Sequence, residues 1–249
     1  AAAVAMPVPS PRVDRLAALT IVWAVTTMFG APAHAQLGAT VGIDSDYRFR
    51  GVSLSDSKPT LRLTVNHDVD AGAWAGTYLG ASLTRADVRD DTYVQTTAYA
   101  GYVTRPRDGR SVEAGLSVSH FNGDASSYDY GELYAGVLAS RWSLRVSYSP
   151  DYFGQRVQTL YADASAHHVL DERTRLFAHV GALVPIAGAG RHSGPDANRS
   201  RADLRVGVGW TLQALDLQIA WTAASRGGPY PAVYAGRRSA WVASAAYSF

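Results

Sequence analysis

Asp44, Asp46, Arg48 and Arg50 stand at every second position of one short segment of this 249-residue chain. On an extended strand such residues share a face, so two carboxylates and two guanidinium groups would form a column. Facing a bore, that column would set up a transverse field able to orient and select small polar solutes. Paired with one another and with Arg62, Glu132, Asp203 and Arg205, the same charges would instead fill the bore as a salt-bridged plug. Both arrangements stay open at this stage. The opposite parity, Val41, Ile43, Tyr47 and Phe49, is apolar and would turn outward.

Other chemistries find less support. A hydroxyl nucleophile needs a base within hydrogen-bond reach, and on a single strand a histidine two residues before a serine would share its face. None of His67, His120, His167, His168, His179 and His192 has that spacing. Ser165 and His167 give the reverse order on an inward face, away from membrane lipid, so no enzyme and no catalytic residue is expected. His167 and His168 point to opposite faces of a strand and cannot chelate one ion together, so no metal site is expected. Without a glycine-rich loop between a strand and a helix, no nucleotide cofactor is expected. A formal charge of +2 without a basic cluster argues against nucleic acid as a partner. With no cysteine, stability must come from the strand ladder and packing rather than from disulfides.

What must position the charges is a set of strands. Residues 1–35 read as a signal peptide: Arg12 and Arg15 precede an apolar run over 16–29, and Ala33-His34-Ala35 supplies a small-x-small cleavage pattern. That run is too short for a spanning helix, which needs about 20 apolar residues. Over 36–249, alternating segments recur between turn signals at 37–49, 60–69, 73–84, 92–104, 111–121, 130–140, 142–149, 157–168, 174–185, 201–212, 215–225 and 238–249. These number twelve, or ten if two short connections are bulges. Most are near the roughly 9–11 residues with which a tilted strand crosses a bilayer. Connections after even-numbered segments are mostly compact and those after odd-numbered ones tend to be longer. This is the loop sorting of an outer-membrane barrel, with short turns and both termini in the periplasm.

Parity supports the same architecture. Leu61, Leu63 and Val65 oppose Arg62, Thr64 and Asn66; Leu204 and Val206 oppose Asp203 and Arg205; Trp241, Ala243, Ala245, Tyr247 and Phe249 oppose Val242, Ser244, Ala246 and Ser248. The expected fold is all-β, a closed antiparallel transmembrane barrel of about twelve strands in an up-and-down meander, apolar outside and polar within. Interface belts are expected from Tyr102, Trp142, Tyr247 and Phe249 on the periplasmic side and Tyr47, Phe49 and Tyr148 on the outer side. Trp74 breaks the pattern by pointing inward on parity.

The segment Asp44-Ser45-Asp46-Tyr47-Arg48-Phe49-Arg50-Gly51-Val52-Ser53, followed by Lys58-Pro59, resembles the N-terminal signature of the TorF family of porin-like proteobacterial outer-membrane proteins. The exported start, the hairpin with Trp74-Ala75-Gly76 and the aromatic C-terminus extend the resemblance over most of 36–249. It implies an outer-membrane barrel in contact with outer-membrane lipid. It also implies that Phe249 is read by the outer-membrane assembly machinery. The function expected from the lining is passive diffusion of small hydrophilic solutes, with Arg48 and Arg50 on the positive side of a constriction and Asp44 and Asp46 on the negative. The alternative is a plugged structural or surface-binding barrel.

Overall fold

The computed structural model describes residues 35–88, 91–104, 109–122, 128–188, 198–231, 234 and 236–249. The signal peptide expected over 1–35 therefore lies, but for Ala35, outside the described residues. The strands are β1 (Ala35–Asp44), β2 (Arg48–Phe49), β3 (Val52–Ser53), β4 (Thr60–Val69), β5 (Thr77–Val88), β6 (Asp91–Thr104), β7 (Ser111–Phe121), β8 (Tyr130–Leu138), β9 (Trp142–Ser149), β10 (Val157–Val169), β11 (Thr174–Gly188), β12 (Arg201–Leu212), β13 (Leu215–Ala224) and β14 (Ser239–Ser248). All but β2 and β3 pair antiparallel with their chain neighbours, and β14 returns to β1, giving a closed barrel of twelve strands. β2 and β3 form a separate hairpin.

The short connections that left ten strands open are true turns. Ala139 N–H donates to the Trp142 carbonyl at 2.8 Å across one, and Leu212 pairs with Leu215 around Gln213, whose φ of 56° closes the other. Closure rests on five register pairs from Thr40↔Ser248 to Asp44↔Ser244, and the Phe249 N–H adds a bond to the Ala39 carbonyl at 2.9 Å. Ala35 and Phe249 lie at the end that carries the turns 70–76, 139–141, 170–173 and 213–214, here called the turn end. The opposite end is the loop end. Leu63, Val65, Leu116, Val118, Leu144, Val146, Leu160, Val180, Val206 and Ile219 are all exposed around the wall. So continuous an apolar band matches hydrocarbon rather than water.

Three expectations are corrected. First, β1 does not run to Phe49 but ends at Asp44. Ser45 N–H still reaches the Ala243 carbonyl at 2.8 Å, after which the chain folds into the bore. Asp46 supplies the competing local bonds: its carboxylate accepts from the Ser53 and Ser55 hydroxyls, while Ser55 Oγ accepts the Tyr47 N–H at 2.9 Å. Such side-chain bonds offer the backbone an alternative to the ladder. Arg50 (φ 49°) and Gly51 (φ 73°) turn the hairpin at its tip. A Cβ on Gly51 would lie 2.6 Å from Ala224 Cβ and 2.9 Å from Asp203 Cβ, so only glycine lets the tip press against the wall at β12 and β13. Second, β5 starts at Thr77, and Trp74 is 75% exposed in the turn rather than pointing inward. Gly76 N–H donates to the Val69 carbonyl at 2.7 Å and Thr77 N–H to the Trp74 carbonyl at 3.0 Å, closing that turn. Third, the connection after β5 is not long, since β5 and β6 pair as far as Val88↔Asp91.

Candidate functional site in the barrel lumen

Below the inserted hairpin the bore holds a chamber of about 1310 Å³. Its lining includes all eight charged residues expected in the lumen. Asp44, Arg62, Glu132, Asp203 and Arg205 project from β1, β4, β8 and β12, whereas Asp46, Arg48 and Arg50 come from the hairpin and its approach. The four residues at period two are thus not one column, because the strand that would align them ends at the first.

Most of these charges are paired. Arg50 makes a two-pronged bond to Glu132 at 2.7 and 2.9 Å, with both side chains 8% exposed. Arg48 donates to Asp46 at 2.6 Å and to the Gly51 carbonyl at 3.2 Å, bracing the hairpin from within. Arg62 stands 3.3 Å from Asp44. Arg205 donates to the Gln218 side-chain oxygen at 3.0 Å and lies over the Phe177 ring at 5.2 Å. Two further pairs were not singled out in the sequence: Arg145 with Glu113 at 2.6 Å and Arg175 with Asp216 at 2.7 Å. Arg145 and Asp216 share the inward parity of their strands, so the alternation marked their face but not their partners.

The loop end of the chamber is closed by aromatic packing. The Arg50 guanidinium lies 3.9 Å from the Tyr161 ring centroid, 4.7 Å from Phe49 and 5.4 Å from Tyr152. Phe153 stacks on Tyr130 at 4.6 Å, and Tyr152 donates to the Tyr230 hydroxyl at 3.0 Å. Val52, Leu54, Phe121, Leu183 and Tyr234 complete this cluster. Tyr152 and Phe153, from the connection between β9 and β10, are fully buried. Burial pushes the phenols of Tyr152 and Tyr230 above their ordinary range, which keeps both as neutral donors.

The expected outer belt is corrected by the same packing. Tyr47 and Phe49 lie against the internal cluster instead of facing lipid, because the period-two alternation loses its meaning where β1 stops. Tyr148 stays at the loop end and donates to Gln158 at 3.2 Å, and Trp241, 71% exposed, joins it there. At the turn end Tyr102, Trp142, Tyr247 and Phe249 are exposed, with the last two rings in edge contact at 4.9 Å. Among the described residues, no group of three or more metal-ligating side chains converges.

Residues 29–230 match the family model described as "Bacterial protein of unknown function (Gcw_chp)". No curated protein matches the sequence. Among solved structures, the chain resembles the KdgM porin (15% identity, TM-score 0.53, covering 85% of this chain and 99% of that one). It also resembles the NanC porin (10% identity, TM-score 0.54, covering 85% and 99%). At these identities the likeness is one of fold: a twelve-stranded porin-type barrel.

Proposed function

The chain belongs to the Gcw_chp family, and we propose that it is an outer-membrane channel of the TorF porin type, passing small hydrophilic solutes by diffusion. The observation that supports this reading most is a charge-lined chamber inside an apolar-belted cylinder, capped at its loop end by an inserted hairpin that packs on Tyr152, Phe153 and Tyr230 from the connections. A hairpin held by side-chain contacts is a movable element; a strand in the barrel ladder is not. In this reading the turn end and both termini face the periplasm after export, and Phe249 is recognised during assembly. The hairpin is the gate, with Arg48 and Arg50 its positive groups, Asp46 a negative group bound to Arg48, and Asp44 the negative group on the adjoining β1 wall.

Planar-bilayer recording of the detergent-folded barrel tests the reading. Brief openings are expected from wild type and sustained conductance after deletion of 47–55. Arg48→Ala with Arg50→Ala should move ion selectivity toward cations. Silence from both wild type and the deletion variant, beside an active control porin, would remove the channel. The second reading, a plugged barrel, would then stand on the fully buried Tyr152, Phe153 and Leu183 inside its mouth.

A further inference from the structure

One group of lumen side chains is not spent on the ion pairs. Ser165 and His179 are directly opposite across the β10–β11 ladder, and Arg205 faces His179 across β11–β12, which puts Asp203 on the same inner face two residues along. Ser165 Oγ lies 2.9 Å from His179 Nδ1, and Asp203 Oδ1 lies 3.3 Å from His179 Nε2. The Tyr161 hydroxyl is the hydrogen-bond partner of Nε2, and its own proton goes to Asp203, so with the ring proton on Nε2 and donated to Tyr161, Nδ1 is left to accept from the Ser165 hydroxyl. Tyr161 donates to both Asp203 oxygens, at 3.3 and 3.2 Å, and its own oxygen is 3.0 Å from Nε2. The carboxylate, 5% exposed, is therefore held facing the ring. Gly181 gives the room for this: a Cβ there would lie 2.8 Å from Asp203 Oδ2, in the space through which Tyr161 reaches it. Asp163, 4.0 Å from Nδ1, is too far to take the place of the serine hydroxyl.

We infer that Ser165, His179 and Asp203 form a nucleophilic relay that hydrolyses small carboxylic esters admitted to the chamber. All three side chains line that space, and its loop end is closed, so an ester enters from the turn end. Ser165 Oγ attacks the carbonyl carbon while Nδ1 takes the hydroxyl proton, and the carbonyl electron pair moves onto oxygen. Collapse of that adduct breaks the bond to the alcohol, which leaves with the proton from Nδ1. Water then repeats the sequence on the acyl-serine, releasing the acid and returning the proton to Oγ. Tyr161, itself held by Asp203, orients the imidazole, and the carboxylate 3.3 Å from Nε2 charge-balances it throughout.

The choice of ester follows from what meets the oxyanion. Ladder N–H groups are already bonded, so the donors left are side chains: Ser143, directly opposite Ser165 on β9, and the Nη1 end of Arg145, one inward position further, whose Nε and Nη2 go to Glu113. Such a set stabilises the developing charge less than a preorganised backbone pair. It therefore suits esters with good leaving groups and not amides.

The full chain, folded in detergent and shown folded by heat-dependent gel mobility, is treated with a fluorophosphonate probe and assayed with p-nitrophenyl acetate. The expected result is a probe adduct on the peptide carrying Ser165, lost in Ser165→Ala, with ester turnover lowered about 100-fold or more in His179→Asn. An unmodified Ser165 in folded wild type, or turnover unchanged in Ser165→Ala, would overturn the inference. Should His179→Asn not fold, the small change Ser165→Ala carries the test alone. The result is independent of conductance, since a silent barrel that labels at Ser165 keeps the relay.

Discussion

Glu132→Ala isolates the contact that seats the hairpin. In the wild type Arg50 gives two charge-assisted bonds to Glu132, and each side chain is 8% exposed. Removing one partner of a buried pair leaves an uncompensated charge, which costs about 3–5 kcal/mol. The lower end applies here, because the pair borders a chamber that can hold water. The cation–π contacts of Arg50 with Tyr161 and Phe49 survive the substitution and do not offset the loss. The cost falls on the seated hairpin alone, since a displaced hairpin hydrates its guanidinium. About 3 kcal/mol is a shift of roughly 100-fold toward the displaced state at 1.4 kcal/mol per decade. Bilayer open probability and trypsin cleavage after Arg50 should rise together by about that factor. In Arg50→Ala with Glu132→Ala both buried charges are gone, so the free-energy shift toward the displaced hairpin should fall short of the sum of the two single variants. A folded Glu132→Ala barrel with wild-type openings and wild-type protease resistance at Arg50 would refute the latch.

Three other substitutions probe the scaffold. Val146→Arg, midway along the outer face of β9, should lower unfolding free energy in lipid by about 2–4 kcal/mol, whereas Leu37→Arg near the turn end should cost about 0–1 kcal/mol; equal costs would deny the hydrocarbon band. Gly76→Ala should cost about 1–3 kcal/mol in denaturant titration, because φ is 93° and a Cβ would run into the Val103 carbonyl oxygen. Asp171 accepts the Arg173 and Thr174 N–H groups at 2.8 Å each, and the Arg173 bond above all holds its carboxyl below the ordinary range. Because the folded-state value is depressed, its stabilisation is present above the unfolded value and lost as pH falls through the folded one. The stability gap between wild type and Asp171→Asn should therefore close on acidification, and a gap that widens would contradict the turn.

The barrel was legible because its information is local and repeated. At β4, β7, β9 and β12 the alternation and its flanking turn residues give the observed limits. The same rule failed on 45–50, where Tyr47 and Phe49 alternate with Asp46, Arg48 and Arg50 as they would on a strand. What breaks the ladder there is a set of bonds from Asp46 to Ser53 and Ser55, seven and nine residues on, together with positive φ at Arg50 and Gly51. The aromatic closure was hidden for a related reason: Tyr152, Phe153 and Tyr230 sit in connections without a period, and only the walls around them make them a core.

The relay shows where pattern reading stops and register begins. A search along one strand asks for histidine and serine two residues apart, yet His179 meets Ser165 across a hairpin and Asp203 across a second ladder. A hairpin closed at His168 and Thr174 would put Phe177 opposite Ser165 and leave the hydroxyl against a ring. The actual turn pairs Val169 with Arg175, with Leu170 N–H donating to the Thr174 carbonyl at 2.9 Å, and that shift of two brings His179 into place. Shifting by two keeps every side chain on its own face. Hydrophobic patterning is therefore blind to the difference between a phenyl ring and an imidazole at that position. The turn at 170–173 sets the chemistry of the lumen without leaving a trace in the alternation that specifies the barrel.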